Sequence, residues 1–126
     1  MVGIVIISHS RLLAEGTAEL AREMGVGEAV VEPAGGGPDG GLGTSPDLVE
    51  RAVAAADGGD GVLLLADLGS SVLTARIVLE DHQGRVVLAD APLVEGAVAA
   101  ASAAASGADL DGVRAAAESA HELHKR

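Results

Sequence analysis

The feature that most constrains this chain is the alternation of four short apolar runs with segments whose apolar residues recur at helical spacing. The runs are rich in Val, Ile and Leu, which is typical of strands buried on both faces. Buried strands joined by helical crossovers form parallel sheets. The pattern therefore predicts a doubly wound α/β fold with a mainly parallel four-stranded sheet, in the order 2-1-3-4, and helices on both faces. The predicted strands are Val2–Ser8, Glu28–Glu32, Gly61–Ala66 and Val86–Ala89.

Helices are predicted between these runs from apolar spacing and from the residues that begin and end them. The clearest start is Ser45-Pro46-Asp47, with Ser at the N-cap, Pro in the first turn and an acid beside the positive end of the helix dipole. A glycine-rich loop, Pro33–Thr44, precedes it. The other helices are predicted over residues 13–24, from after Ser71 to about His82, from after Pro92 to Gly107, and from Asp109 through Leu123.

The composition fits one compact domain covering residues 1–126. Hydrophobic residues make up 48% of the chain, which is enough for a core. Phe, Trp and Tyr are absent, so the core must consist of Val, Leu, Ile and Ala. Cysteine is also absent, which excludes a disulfide framework and a thiolate metal site and agrees with a reducing cytoplasm.

The charge balance is strongly acidic, with eight Lys and Arg residues against nineteen Asp and Glu residues. This balance argues against nucleic acid or an anionic membrane as a partner. The apolar start, residues 2–7, is too short for a signal peptide and lacks a basic flank. The least polar stretch, Leu93–Ala108, is shorter than the roughly 20 apolar residues of a membrane helix. We therefore expect a soluble, cytoplasmic protein with neither nucleic-acid nor membrane partners.

Polar side chains that can carry chemistry follow the first and third predicted strands. In an open parallel sheet, ligands bind beyond the carboxyl ends of the strands, where the strand order reverses. In the order 2-1-3-4 this place lies between strands one and three. The first strand is followed by Ser8-His9-Ser10 and the third by Asp67-Leu68-Gly69-Ser70-Ser71. We therefore expect these two segments to share one crevice.

This set of residues suits a phosphoryl carrier. A neutral imidazole nitrogen of His9 is nucleophilic near pH 7 and can accept a phosphoryl group reversibly. Asp67 can accept a hydrogen bond from the other ring nitrogen, which selects the tautomer and stabilises the charge that develops on the ring. Helix N-termini after Ser10 and after Ser71 would offer N–H groups to phosphoryl oxygens, and no metal is required. Close backbone approach or hydroxyl donors are expected from Thr44, Gly69, Ser70 and Ser71.

Each of these residues also has a structural interpretation. A histidine after a buried strand is more often a capping or packing residue than a nucleophile. Asp67 suits a helix N-cap, and Ser70 and Ser71 are ordinary residues for a helix start. The phosphoryl-carrier hypothesis therefore depends on all of them lying in the same crevice.

Other motifs are weaker. Residues 35–40 satisfy G-x-G-x-x-G, but Pro38 removes a donor and the next helix begins several residues later, so a dinucleotide site is disfavoured. We interpret this loop as a mobile connection able to cover the crevice. His121 and His124 have metal-ligand spacing, but solvated histidines at a helix C-terminus are the favoured interpretation. His82 at a helix end is interpreted as structural.

Several motifs together resemble the mannose-type enzyme IIA family of the sugar phosphotransferase system, and within it the phosphoryl-donor subunits of phosphoenolpyruvate-dependent dihydroxyacetone kinases. The resemblance extends over nearly the whole chain in the same order, and its most specific part is Pro-Leu-Val-Glu-Gly. The segments that carry it are Val5–Ser10, Gly43–Ser45, Asp67–Ser70, Ala91–Gly96 and Ala104–Ala108.

The resemblance implies a phosphotransferase subunit with a phosphohistidine intermediate. His9 would be phosphorylated at Nε2 by the phosphocarrier protein HPr and would rephosphorylate ADP in the nucleotide-binding subunit of the kinase. A third subunit would carry dihydroxyacetone, and Mg-ADP or Mg-ATP would bind the partner rather than this chain, which needs no cofactor. Asp67 would orient His9, with Gly43, Thr44, Gly69 and Ser70 around the site.

The resemblance also implies a homodimer, whose surface we expect at exposed Leu and Val residues of the helices after strands three and four. Some relatives continue into HPr-like and enzyme I-like domains, whereas this chain ends at Arg126, so a separate phosphoryl donor is expected. Two alternatives to the kinase role remain. One is an enzyme IIA that feeds a mannose-type sugar transporter, and the other is a non-catalytic module that binds a nucleotide or a regulator in the same crevice.

Overall fold

The computed structural model describes residues 1–126 and contains one four-stranded, entirely parallel sheet in the order β2-β1-β3-β4. The predicted α/β architecture and strand order are confirmed. The strands are β1 (Gly3–Ser8), β2 (Val30–Gly35), β3 (Val62–Ala66) and β4 (Val86–Leu88). The helices are α1 (Arg11–Met24), α2 (Pro46–Ala56), α3 (Gly69–Leu79), α4 (Leu93–Ala105) and α5 (Leu110–Glu118), followed by a short 3-10 helix (Ser119–Glu122).

Every residue of β1 is buried, although successive side chains of a strand point to opposite faces of the sheet. Both faces of the sheet must therefore be covered by helices. Ile4 and Ile6 pack in the core formed with α1, α4 and α5. Val5 and Ile7 pack in the core formed with α2 and α3. The continuous apolar run thus corresponds to a strand enclosed between two helical layers.

The layer formed by α1 and α4 is built largely from alanine. The buried alanines of α1 face a second set in α4, and a methyl group adds only about 0.8 kcal/mol of burial free energy. The larger Ile and Leu side chains of the strands therefore provide most of the hydrophobic stabilisation. The buried alanines are Ala14, Ala18 and Ala21 in α1 and Ala97, Ala100, Ala101 and Ala104 in α4.

The second strand lies later in the chain than the sequence predicts. We expected Glu28–Glu32, whereas β2 spans Val30–Gly35 and includes Pro33. Proline is compatible with this position because β2 lies at the edge of the sheet and pairs with β1 only. Residues 25–28 instead form a turn closed by the hydrogen bond from the Glu28 N–H to the Gly25 carbonyl (3.1 Å).

Two helix boundaries also differ from prediction. The third helix begins at Gly69, so Ser70 and Ser71 lie inside its first turn, and it ends at Leu79 because the chain then turns through residues 80–84. The last helix ends at Glu118, and the chain continues as a 3-10 turn that leaves Leu123 exposed.

Pairing of β1 with β3 places the segments that follow these strands side by side. Ile7 pairs with Ala66 in the parallel register. The Asp67 N–H then donates to the Ile7 carbonyl at 3.1 Å, which extends the pairing one residue past the end of β3. Ser8 and His9 therefore emerge directly beside Asp67.

Candidate functional site

The carboxylate of Asp67 is the centre of a hydrogen-bond cluster at the carboxyl ends of β1 and β3. Its Oδ2 accepts from the Ser8 hydroxyl at 2.8 Å and from the His9 N–H at 3.1 Å. Its Oδ1 accepts from the Ser71 hydroxyl at 2.6 Å and from the Leu68 N–H at 2.7 Å. His9 Nδ1 lies 2.9 Å from the same Oδ1. Both oxygens are thus held by groups from β1 and from the start of α3.

These hydrogen bonds determine the charge of Asp67. Burial works to raise its pKa, but hydrogen bonds from the Ser71 hydroxyl, the Leu68 N–H, the Ser8 hydroxyl and the His9 N–H outweigh it, and the pKa lies well below its ordinary value. The group is therefore a carboxylate that can only accept hydrogen bonds.

An acceptor-only carboxylate determines the tautomer of His9. Because Asp67 accepts at Nδ1, the ring proton resides on Nδ1. The Ser71 hydroxyl lies 3.2 Å from the same nitrogen, and it accepts there because its own proton is donated to Asp67. The lone pair is left on Nε2, which contacts the Ser70 hydroxyl. The His9 side chain is 27% exposed, so a reagent can reach Nε2 from solvent.

Two helices begin beside the ring. α1 starts at Arg11, after the Ser10 side chain caps the Leu13 N–H, and α3 starts at Gly69. N–H groups in the first turn of a helix have no intrahelical acceptor, and the helix dipole favours an anion at this end. Asp67 does not cap α3; the N-cap residue is Leu68, which makes no side-chain capping bond. The N-terminus of α3 therefore remains available to an anion.

The loop after β2 contacts the site through its backbone. The Gly36 N–H donates to the Ser8 carbonyl (3.1 Å) and the Gly43 N–H donates to the His9 carbonyl (3.0 Å). Gly43 therefore supports the backbone of His9, and its N–H is already engaged. The Thr44 hydroxyl is hydrogen-bonded to that of Thr74 at 2.8 Å, which ties the end of the loop to α3.

The residues singled out in the sequence are thus distributed in two groups. His9, Asp67, Ser70 and Ser71 form one contact network with Gly69 adjoining it. A different group, Gly43 and Thr44, lies against the backbone of His9 and the side of α3.

Ser8 and Thr74 are site residues that were not predicted from the sequence. Ser8 is buried, and its hydroxyl accepts from the Ser10 N–H (3.0 Å) while donating to Asp67. The sequence signal for Ser8 was a serine within an otherwise apolar buried strand. A buried hydroxyl needs a hydrogen-bond partner, so this serine could have been predicted to contact another polar group of the site. Thr74 lies one turn after Ser70 and Ser71 on the same helix, a spacing that indicates a shared face.

Two other histidines, His82 and His121, and the first glycine of the glycine motif have structural contacts. His82 Nε2 lies 2.8 Å from Glu50 Oε2, and His121 Nε2 lies 2.8 Å from the Asp90 carbonyl. No group of three or more His, Cys, Asp or Glu residues is arranged to hold a metal ion. Gly35, at the start of the G-x-G-x-x-G pattern, packs so closely on α1 that a Cβ there would lie 2.6 Å from the Ser10 carbonyl oxygen. No helix in the structure has the length and apolar character needed to span a membrane.

Comparison with known proteins places this geometry in a family. The family model of the PTS system fructose IIA component matches residues 3–114. The phosphoryl donor subunit DhaM of the PEP-dependent dihydroxyacetone kinase of Escherichia coli is 41% identical over 120 residues, which cover 90% of this chain and 25% of that protein. The corresponding subunit of Pantoea ananatis is 42% identical with the same coverage. The chain thus spans about a quarter of the length of these two relatives.

A shorter relative matches along most of its length. The phosphoryl donor subunit DhaM of PEP-dependent dihydroxyacetone kinase 2 of Listeria innocua is 37% identical over 106 residues, which cover 80% of this chain and 84% of that protein.

Solved structures agree with the fold. The protein of unknown function EF1359 superposes with a TM-score of 0.84 at 34% identity, covering 99% of this chain and 96% of that one. A sigma-54 interaction domain protein from Enterococcus faecalis superposes with a TM-score of 0.73 at 18% identity, covering 96% of this chain and 90% of that one, and shows the fold alone. From its motifs, its topology and the match over residues 3–114, we conclude that the chain belongs to the family of the PTS system fructose IIA component, the mannose-type enzyme IIA family.

Proposed function

We propose that this chain is a cytoplasmic phosphoryl carrier that accepts a phosphoryl group from phospho-HPr on His9 Nε2 and passes it to ADP bound in the nucleotide subunit of a dihydroxyacetone kinase. The observation that carries the proposal is the contact of His9 Nδ1 with Asp67 Oδ1 at 2.9 Å. This contact holds the proton on Nδ1 and leaves the exposed Nε2 as the nucleophile. The names of the curated relatives support the kinase as the acceptor system.

In the first step, the Nε2 lone pair attacks phosphorus and forms the N–P bond as the bond to the donor breaks. The hydrogen bond between Ser70 and Nε2 opens, and the Ser70 hydroxyl becomes free to donate to a phosphoryl oxygen. The imidazole gains positive charge, which the carboxylate of Asp67 stabilises through the Nδ1 proton. The free N–H groups of the first turn of α3 stabilise the phosphoryl charge.

In the second step, a β-phosphate oxygen of ADP on the partner attacks phosphorus and the N–P bond breaks. The electron pair returns to Nε2, and the ring becomes neutral again with its proton on Nδ1. Mg²⁺ would be bound with the nucleotide on the partner subunit and would neutralise its phosphate chain there. The residues of this chain provide the nucleophile, its orientation and the anion donors, without a cofactor.

The decisive experiment is phosphorylation with phosphoenolpyruvate, enzyme I and HPr. We expect one acid-labile phosphate per chain, and we expect none on His9→Ala. His124→Ala is the matched control, because His124 is exposed in the C-terminal tail. Full labelling of His9→Ala, or loss of labelling in His124→Ala alone, would exclude His9 as the acceptor.

The acceptor of the phosphoryl group requires a second experiment, because the matching family is named after a component of a fructose phosphotransferase system. In the alternative function, the chain is an enzyme IIA that passes phosphate to a histidine of an enzyme IIB. Phosphorylated chain is mixed separately with an ADP-loaded kinase nucleotide subunit and with an enzyme IIB. Formation of ATP in the first mixture supports the kinase role, and transfer only in the second supports the transporter role.

The homodimer remains part of the proposal. Leu73 and Ile77 project from α3 with exposed fractions of 64% and 55%, and Val94 on α4 is 36% exposed. These residues lie on the helices after β3 and β4, the helices on which the dimer surface is expected from the sequence. Light scattering of the wild type and of Leu73→Glu measures the mass, and a monomeric wild type would contradict this part of the proposal.

A further inference from the structure

Three side chains of the site are connected in the atom order of a serine hydrolase triad. The Ser70 hydroxyl contacts His9 Nε2, and His9 Nδ1 lies 2.9 Å from Asp67 Oδ1. A serine hydroxyl activated by an imidazole, which is oriented by a carboxylate, is the arrangement that generates an oxygen nucleophile for acyl transfer.

The protonation state also has the direction that acyl transfer requires. Asp67 is an acceptor held below its ordinary pKa by its hydrogen bonds, so the His9 proton resides on Nδ1. Nε2 therefore accepts the Ser70 proton. A purely structural serine needs no unprotonated base beside it, whereas a nucleophilic serine does.

The surroundings of Ser70 provide access and donors for an oxyanion. Ser70 is exposed in the first turn of α3. Its own N–H and that of Gly69 have no intrahelical acceptor, whereas the Ser71 N–H is engaged with the Leu68 carbonyl at 2.9 Å. A cavity of about 390 Å³ adjoins the cluster at Asp67, and its lining includes the charged residues Arg76, Asp90 and Arg114. Its apolar lining includes Val72, Leu88, Ala89 and Ala91.

We infer that Ser70 is an acyl-accepting nucleophile and that the chain hydrolyses activated esters of short carboxylic acids. Ser70 Oγ attacks the ester carbonyl carbon as its proton moves to His9 Nε2. The ester C–O bond then breaks, the alcohol leaves with that proton, and an acyl-Ser70 remains. Water attacks this ester, gives one proton to Nε2, releases the carboxylic acid, and Ser70 Oγ recovers the proton.

The test uses the full chain without phosphoenolpyruvate, so it does not depend on phosphoryl transfer. The substrate is p-nitrophenyl acetate, and release of p-nitrophenol is followed by stopped flow. Because general-base activation contributes on the order of 10²–10⁴ in rate, we expect Ser70→Ala and His9→Ala to lose at least about tenfold of the ester hydrolysis. Ser102→Ala, an exposed serine on α4, is the matched control and keeps the wild-type rate.

A covalent label locates the nucleophile independently. Ser70 Oγ displaces fluoride from a fluorophosphonate and forms an O–P bond. Mass spectrometry of the tryptic peptide of residues 52–76 should then show one adduct, located at Ser70. Circular dichroism verifies that Ser70→Ala is folded. Hydrolysis by Ser70→Ala at the wild-type rate would mean that the imidazole itself reacts with the ester. That result, or the absence of an adduct at Ser70, would overturn the inference while leaving the phosphoryl-carrier proposal unaffected.

Asp67 is a positioning residue in this activity, and a pH profile tests its role. In Asp67→Asn we expect ester hydrolysis to fall and its dependence on pH to shift, because the amide no longer holds the proton on Nδ1. An unchanged rate and pH profile would contradict the triad.

Discussion

The loops that follow β2 and β3 reach the same site by opposite means. After β3, side chains make the contacts: Asp67 and Ser71 are hydrogen-bonded to one another and to His9. After β2, the backbone makes them, and Gly36 and Gly43 donate to the carbonyls of Ser8 and His9. The comparison separates two tasks, since side chains set the tautomer of the ring while the glycine-rich loop supports the chain that carries it.

The largest expected effect tests the backbone side of this comparison. In Gly35→Ala, the new Cβ would lie 2.6 Å from the Ser10 carbonyl oxygen and 2.7 Å from Arg11 Cα. Because these are backbone atoms, we expect a loss of about 3 kcal/mol in the free energy of unfolding. Urea denaturation measures it.

The control is Gly40→Ala, in which the Cβ meets no atom within 4 Å and only the positive φ of +86° is unfavourable. We expect a loss of about 1 kcal/mol there. Equal losses in the two variants would mean that the end of β2, from which the glycine-rich loop leaves, does not depend on close backbone approach to α1.

The next effect tests the side-chain half of the comparison. Asp67→Asn replaces an acceptor-only group by an amide whose NH₂ meets donors on either side. We expect phosphoryl transfer from phospho-HPr to slow by about 10–100-fold in a folded protein, because the ring loses its orientation and charge partner. Quenched-flow labelling measures the rate.

The control for this variant comes from the glycine-rich loop. Asp39 is exposed and accepts from the Gly41 N–H at 3.0 Å, so Asp39→Asn should retain the wild-type transfer rate. A wild-type rate for Asp67→Asn would reduce Asp67 to a structural residue.

Two adjacent serines of α3, Ser70 and Ser71, are expected to differ in their contribution to the free energy of unfolding. Ser71 is buried and donates to Asp67 at 2.6 Å, so Ser71→Ala removes a hydrogen bond to a charged group. We expect a loss of about 2 kcal/mol in the free energy of unfolding. Ser70 is exposed, and Ser70→Ala should change stability by less than about 0.5 kcal/mol. The reverse order in thermal denaturation would show that the cluster is not centred on Asp67.

The smallest effect is a pH dependence. Folding lowers the pKa of Asp67 from 3.8, so its contribution to stability is complete above the unfolded value and is lost as the pH falls through the folded value. The stability difference between the wild type and Asp67→Asn should therefore narrow as the pH falls from about 6 to about 2.5. Melting temperatures measure it, and a difference that widened with acid would contradict the assigned charge.

The fold could be predicted because its signals are local. Apolar runs identify β1 and β3 directly, and helical spacing identifies the helices between the strands. Ser45 and Asp109 cap the helices that the sequence predicts there. The position of β2 could not be predicted because Pro33 signals a loop, and only its place at the sheet edge makes it compatible with a strand.

The part of the site that follows from the strand order could be predicted from the sequence. Strand order alone brings His9 and Asp67 together, since the carboxyl ends of β1 and β3 are neighbours. The contacts of Gly43 and Thr44 depend on the path of a loop with several glycines, and the backbone freedom of glycine leaves that path undetermined by local pattern. The engagement of the Gly43 N–H with His9 therefore emerges only from the three-dimensional structure.

The core assembled from aliphatic side chains alone has a practical consequence for the experiments proposed above. Without Trp, Tyr or Phe, the chain is almost silent in near-ultraviolet absorbance and intrinsic fluorescence. In a mixture with a kinase subunit, any tryptophan emission comes from the other protein. Docking can therefore be titrated optically with unlabelled components, because this chain adds no background signal.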